Sequence, residues 1–503
     1  MARPQPVVNE NYSACEIFMS SPSLDTSSLH QLSLAQMSQF IRERKLSPME
    51  LVRAHYARIE RLNPKLNAFI ELRQEAAFAE ARAAEEAVAH TAKVGALHGI
   101  PISIKSSIAV AGLKFECGSP TRKEITATED AVLVQRLKRA GAIILGNTNV
   151  PEMLMAYETN NSLYGRTNSA WDLSRTPGGS SGGEAAGISA GLSAAGIGSD
   201  GGGSIRLPAH FSGICGLKPT PGRVPITGHW PESGGPFALL GVVGPMARSV
   251  EDLEIIFRVI AGFDAGDPMA SPVPLAEISE EEAQRITIGY FEDHPSAPVT
   301  SETRAAVQTA VAALQNSRFQ VKPCLPDVLD EAREHWWTLF VRLAAELLTS
   351  QFNDRQDEIS TILTYSDRPP TKADLLSAWF RRDELRLRLM RQMNDIPVLI
   401  CPVCSVPAFR HGEREWKIGG QSVSYMDAMS YTQWFNLLGN PAVVVPVGVS
   451  PDGLPIGVQV VGQPNSEELI LKVARALEKA VGGREWRPLS LNDSVRAHTD
   501  YTS

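Results

Sequence analysis

The stretch from Gly178 to Arg206 constrains this chain more than any other. It opens with Gly178-Gly179-Ser180-Ser181-Gly182-Gly183 and closes with Asp200-Gly201-Gly202-Gly203-Ser204-Ile205-Arg206. The residues between, Glu184 to Ala195, are nearly all Ala, Gly, Ser, Ile and Leu. Glycines beside a hydroxyl have a physical use, because a backbone without Cβ turns sharply and brings its N–H groups close to a substrate. Several N–H groups converging on one point stabilise a developing oxyanion. The pattern therefore points to acyl transfer on a serine, which needs a base.

A base stands upstream. Gly99-Ile100-Pro101-Ile102-Ser103-Ile104-Lys105 alternates apolar and polar residues with the period of a short strand, and the strand delivers a lysine at its end. Burial disfavours an ammonium, and a neutral amine can accept a serine proton. Taken together these residues resemble the amidase signature hydrolases. The resemblance rests on Gly99-Ile100-Pro101 with Lys105 and on the two glycine-serine clusters. It extends through Gly213-Ile214-Cys215-Gly216-Leu217-Lys218-Pro219-Thr220 and Gly244-Pro245-Met246-Ala247-Arg248. It covers most of residues 33 to 482.

The resemblance implies a Ser-cisSer-Lys triad. In that scheme Ser204 is the nucleophile, Ser180 relays its proton across a cis Gly179–Ser180 peptide, and Lys105 is the base. The N–H groups of Gly201, Gly202, Gly203 and Ser204 form the oxyanion hole, and no metal or organic cofactor takes part. Asp200 and Arg206 flank the nucleophile and are expected to pin the glycine turn. Met153, Leu154, Met155, Tyr157, Gly179 and Phe237 are expected to meet substrate, so that apolar aryl or alkyl amides, and with them esters and carbamates, fit better than free glutamine. Two other functions stay open: a glutamine-hydrolysing amidotransferase subunit working in a complex, and a non-enzymatic binding module. The intact Lys105, Ser180 and Ser204 count against the second.

The sequence departs from the family's pattern at two places. Ser106 follows the lysine where many members carry an acidic residue, which leaves the surroundings of Lys105 open. Asn147 stands where lysine is usual, and a changed structural contact is expected there.

Strand–helix–strand alternation predicts an α/β fold, and the resemblance implies a large central mixed sheet with helices on both faces. Residues 1–32 are expected to form an N-terminal arm, 33–482 the catalytic domain with its core motifs at about 99–248, and 483–503 a tail. A charged, bulky stretch from roughly 326 to 420 is expected to be a helical cap. Ser47-Pro48-Met49-Glu50 is a capping box with proline at the first helical position. Leu51, Val52, Tyr56, Ile59 and Leu62 follow it on one face. Ala142 to Leu145 and Ile396 to Ile400 read as buried strands, and Ala442 to Pro446 with Gly453 to Gln459 as closing strands.

Composition narrows the partners. A net charge of −8 lacks the basic face that nucleic-acid binding needs. No apolar run reaches the roughly 18 residues of a membrane span, and the first 30 residues do not read as a signal peptide. The expectation is a cytoplasmic monomer or homodimer acting on a small molecule. Six scattered cysteines suit reduced thiols. Cys401-Pro402-Val403-Cys404 matches half of a zinc motif, but no second pair exists, so two packed thiols are expected.

Three other motifs compete for attention. Gly196-Ile197-Gly198-Ser199-Asp200-Gly201 is a literal GxGxxG, but a dinucleotide site needs it directly after a strand and opening a helix. Gly178-Gly179-Ser180-Ser181-Gly182 is a literal nucleophile elbow, yet polar loop precedes it where an apolar strand should. His210 and His229 invite a Ser–His pairing, and surface or satisfied loop histidines are expected instead.

Overall fold

Ile102 and Ile104 point to one side of their strand and Ser103 and Lys105 to the other, and this alternation recurs across the sheet that organises the molecule. The computed structural model describes residues 28–90, 94–232, 234–351 and 366–482. Most of the expected arm (1–27) and all of the expected tail (483–503) lie outside the described residues. The strands are β1 (Phe69–Leu72), β2 (Pro101–Lys105), β3 (Ile143–Thr148), β4 (Ala195–Asp200), β5 (Cys215–Lys218), β6 (Val242–Ala247) and β7 (Thr287–Tyr290). They continue with β8 (Gln320–Pro323), β9 (Val398–Pro402), β10 (Glu415–Ile418), β11 (Gln421–Ser424), β12 (Ala442–Val449) and β13 (Pro455–Gly462).

Eleven of the described strands form one mixed sheet in the order β1-β3-β2-β4-β6-β5-β12-β13-β9-β7-β8. The site lies where β2 runs parallel to both β3 and β4, with Ile104 opposite Asn147 on one side and Ile197 on the other. β4 then pairs antiparallel with β6. Lys105 at the end of β2 and Asp200 at the end of β4 therefore emerge at the same edge of neighbouring strands.

Alternation divides the core between the two faces. Ile102, Ile104, Ile144, Val443 and Val445 belong to the cluster that includes Leu133 and Leu137 of the helix Val132–Arg139 and Leu253, Ile256 and Phe257 of Val250–Ile260. Ile143 and Leu145 face the opposite way and join Val52, Tyr56 and Ile59 of the helix Pro48–Leu66. Val444 joins Ile205, Leu207 and Phe211. The sheet is thus covered by helices on both faces, as expected for an α/β fold of this type.

The predicted capping box holds. Ser47 Oγ accepts from the N–H groups of Met49 and Glu50, and the Glu50 carboxylate accepts from Ser47 N–H at 3.2 Å. Asn147 donates to the Lys114 carbonyl at 2.8 Å, a contact within the protein.

The expected cap resolves into parts of two kinds. Its described helices are Leu329–Trp336, a π-helical turn Trp337–Arg342, Leu343–Gln351 and Lys372–Gln392. Trp336, Leu339 and Leu385 pack with Trp434 and Phe435 of the helix Ser430–Leu437. The same stretch, however, also contains β9, a strand of the main sheet, and the start of the β10–β11 hairpin. The helical covering therefore ends before residue 398, because Val398, Leu399 and Ile400 are apolar enough to be buried within the sheet.

Candidate active site

Lys105 is fully buried and its Nζ lies 2.7 Å from Ser180 Oγ, 2.9 Å from Ser181 Oγ, 2.9 Å from Ser199 Oγ and 3.3 Å from the Ser199 carbonyl. Burial pushes its pKa down from 10.5 to about 7, against the opposing pull of Asp200, Cys117 and Glu184. A lysine in this state exchanges its proton near neutrality, and its nearest partner is the Ser180 hydroxyl. Ser180 is reached through a cis Gly179–Ser180 peptide. Ser106, next to Lys105, has a buried hydroxyl with no partner among the described residues, so the surroundings of the lysine are built from Ser181 and Ser199.

Glu184, one turn beyond Ser181, is buried on the same face. It accepts from Ser103 Oγ at 2.6 Å and from Thr148 Oγ1 at 2.9 Å. Burial raises its pKa to about 8, with those hydroxyls and Lys105 opposing.

Ser204 follows the glycine turn that leaves β4. Asp200 builds that turn: its carboxylate accepts from Gly203 N–H at 2.7 Å, from Ile205 N–H at 3.1 Å, and from Arg206 Nε at 3.0 Å and a terminal nitrogen at 2.9 Å. Arg206 also donates to Gln459 at 2.9 Å and to Asn436. Burial would raise the Asp200 carboxyl, but the Arg206 charge and hydrogen bonds outweigh it and hold it below the usual carboxylate range. Through these bonds the Asp200–Arg206 pair ties the turn to Gln459 and Asn436.

Four anchored carbonyls set the direction of the turn. Asn436 Nδ2 holds the Asp200 carbonyl at 3.2 Å, Trp336 Nε1 that of Gly201 at 2.9 Å, Thr432 Oγ1 that of Gly202 at 2.7 Å, and Leu207 N–H that of Gly203 at 2.7 Å. In a trans peptide the C=O and the following N–H point in opposite directions. Each anchor therefore fixes the next N–H. Gly203 N–H is committed to Asp200, which removes it from the four donors expected around an oxyanion. Among the described residues the N–H groups of Gly201, Gly202 and Ser204 have no protein acceptor.

Glycine is required in this turn on two counts. Gly203 has φ +126°, and a Cβ on Gly201 or Gly202 would lie 2.5 Å from the Phe340 ring or the Trp336 ring.

Two cavities meet at Ser204. One is lined by Ser180, Met153, Ile226, His229, Phe237 and Val242 among others, and is the larger of the two. The smaller is lined by Tyr157, Gly202, Trp336, Val341 and Met426 among others. Ser204, Leu154, Met155 and Phe340 line both. No Lys or Arg is among the described residues lining either.

Of the residues expected to meet substrate, Met153, Leu154, Met155, Tyr157 and Phe237 are thus on the cavity walls. Gly179 is not: it packs against the backbone of Ala156 to Glu158, where a Cβ would lie 2.5 Å from the Ala156 carbonyl. Both histidines have hydrogen-bond partners, the satisfied alternative of the expectation; His210 is buried within the helix Arg206–Ser212, and His229 is half-buried. His210 accepts from Gly457 N–H at 2.9 Å and faces the Val406 carbonyl. His229 lines the larger cavity with Nδ1 at the Pro231 carbonyl and Nε2 at Ser107 Oγ. Burial, then the nearby Lys105, push its pKa down to about 3, so it is neutral.

Sequence reasoning missed Ser181 and Ser199 beside the lysine, and Trp336, Phe340 and Thr432 beside the glycine turn. Ser181 was visible as the second serine of its motif. Trp336 and Thr432 carry no local signal.

The amidase family model matches residues 50–471, and the chain belongs to the amidase signature family. It is 31% identical over 488 residues to a subunit of the glutamyl-tRNA(Gln) amidotransferase of Fusobacterium nucleatum, covering 90% of this chain and 97% of that one. It is 30% identical over 476 residues to an acylamidase of Rhodococcus erythropolis, covering 93% and 98%. Among solved structures it resembles 6-aminohexanoate cyclic dimer hydrolase complexed with substrate, with a TM-score of 0.79, 27% identity and coverage of 90% and 98%.

Proposed function

We propose that this family hydrolase cleaves amides carrying apolar acyl or aryl groups, through an acyl-enzyme on Ser204. The observation that carries the reading is a buried lysine of lowered pKa, 2.7 Å from a serine on the wall of the cavity that Ser204 also lines. Neutral Lys105 accepts the Ser180 proton while Ser180 accepts that of Ser204, and Ser204 Oγ bonds to the substrate carbonyl carbon. The carbonyl oxygen becomes an oxyanion facing the N–H groups of Gly201, Gly202 and Ser204. Collapse of this intermediate breaks the C–N bond, and Lys105 returns the proton through Ser180 to the leaving nitrogen. Water then attacks the acyl-enzyme by the same relay in reverse, releasing the carboxylic acid and restoring Ser204.

The lining selects the substrate. Leu154, Met155, Ile226, Phe237, Val242 and Phe340 offer apolar surface on both sides of Ser204. Burying such surface stabilises a bound group by roughly 25 cal/mol per Å². Esters and carbamates pass through the same tetrahedral oxyanion and are side substrates of this reading.

The similarity to the glutamyl-tRNA(Gln) amidotransferase favours a second reading, hydrolysis of glutamine within a complex. A free amino acid presents a carboxylate and an ammonium, and a site for it needs a cation and a free anion. Among the described residues the only lining carboxylate, Asp200, is engaged by Arg206, and His229 is neutral. We therefore favour apolar amides. The test is turnover of a panel of anilides, N-alkyl amides, nitrophenyl esters, aryl carbamates and glutamine. Anilides or N-alkyl amides should be cleaved with far higher kcat/KM than glutamine; efficient glutaminase activity with inert anilides would reverse the assignment.

A further inference from the structure

Among the described residues, Trp336 is the cap side chain that hydrogen-bonds to the glycine turn. Trp336 ends the helix Leu329–Trp336, is 1% exposed, and donates its indole N–H to the Gly201 carbonyl at 2.9 Å. The π-helical turn that follows widens the spiral and brings Phe340 beneath it, the two rings stacked at 5.2 Å and 19°. The ring pair lies so close to the turn that no side chain larger than hydrogen fits at Gly201 or Gly202.

The chemistry of the contact follows from the peptide that it holds. The Gly201 carbonyl and the Gly202 N–H belong to one planar unit and point in opposite directions. A two-glycine segment has few steric barriers to peptide rotation, so something must fix this unit. Asn436 fixes the peptide before it and Thr432 the peptide after it, but the Gly201–Gly202 unit has Trp336. We infer that Trp336 is a positioning residue: by holding the Gly201 carbonyl it aims the Gly202 N–H at the oxyanion that forms on Ser204. The inference rests on the reading of Ser204 as the nucleophile.

A merely structural role for Trp336 would affect every ligand alike, because lost ring contact weakens ground state and transition state together. Loss of an aimed donor instead weakens only species that carry the oxyanion. The test uses the full chain with Trp336→Phe and with Trp336 replaced by β-(3-benzothienyl)alanine, which keeps the bicyclic shape but has no N–H. Two ligands are compared: an aryl trifluoromethyl ketone, which adds to a serine as a tetrahedral oxyanion, and the matching carbinol, which fills the same space without adding. The benzothienyl variant should lose kcat on an anilide and affinity for the ketone in parallel, by roughly 10²-fold, while carbinol affinity and KM hold; Trp336→Phe, which also loses ring contact with the smaller cavity, should add a common factor on both ligands and keep the same excess loss for the ketone. Phe340→Leu, which removes ring contact and no hydrogen bond, should shift ketone and carbinol by a common factor. Equal shifts of both ligands in the benzothienyl variant, or no shift, would overturn the inference. If the parent protein formed no ketone adduct on Ser204, the nucleophile assignment itself would fall, and the inference with it.

Discussion

Lys105 touches three hydroxyls and a carbonyl, and this set of partners decides its acid–base behaviour. Hydroxyls stabilise an ammonium less than a paired carboxylate does, so burial dominates and the pKa falls from 10.5 to about 7. The base form is neutral, so kcat/KM for amides should rise with pH through about 7 and level off above it. Lys105→Ala should abolish that limb. It should also cost an anilide about 10³-fold or more and an activated nitrophenyl ester distinctly less, because a phenolate leaves without a returned proton. Equal losses on both substrates, measured across pH, would remove Lys105 from the acid–base role. Glu184 titrates in a neighbouring range, near 8. Glu184→Gln separates the two: Glu184 is largely protonated, and so neutral, where Lys105 titrates, so the limb near 7 should persist close to its place in the variant, whereas a limb that belonged to Glu184 would vanish. Lys105 and its strand were legible in the sequence from the Ile102/Ile104 alternation. The commitment of Gly203 N–H to Asp200 was not, because it depends on how the turn closes on its own carboxylate.

Among the elements, strands and capped helices could be read locally, whereas the contact of the cap with the glycine turn could not. Ser47-Pro48-Met49-Glu50 announces its helix by chemistry contained in four residues, and the apolar run of β9 announces a buried strand. The meeting of Trp336 with Gly201 joins residues 135 apart in sequence and leaves no periodic trace. The packing is nonetheless testable. Gly201→Ala should nearly abolish turnover, because the new Cβ would stand 2.5 Å from the Phe340 ring. Phe340→Ala should restore a measurable part of it in the double variant. A single Gly201→Ala variant with full activity would show that the cap does not press on the turn. On β9 and just beyond it, Cys401 and Cys404 are both fully buried, Cys404 Sγ sits 3.0 Å from the Val406 carbonyl, and burial pushes the Cys404 thiol up to about 12. Neutral packed thiols of this kind are inert. Cys401→Ser with Cys404→Ser should keep most of the activity, with metal analysis showing no zinc lost; activity disappearing along with bound zinc would contradict the packing account.

At the scale of the whole molecule, the mixed sheet brings the ends of β2 and β4 to one edge, and Trp336, Phe340 and Val341 help to wall two largely apolar cavities beside it. Among the described residues no helix is long and apolar enough to cross a membrane. The family and the sheet were legible because the glycine-serine motifs are long and ordered. The walls of the cavities were legible only in part, since Met153, Leu154, Met155 and Phe237 line them while much of the remaining wall comes from distant elements. In the proposed reaction Ser204, and not Ser180, carries the acyl group. Ser180 is bound to Lys105, whereas Ser204 is shared by both cavities beside the N–H groups of the turn that have no protein acceptor among the described residues. The most direct measurement is reaction of the full chain with a serine-directed fluorophosphonate, followed by intact mass and peptide mapping. A single adduct on Ser204, absent from Ser204→Ala, is the predicted result; an adduct on Ser180 that persists in Ser204→Ala would contradict the mechanism.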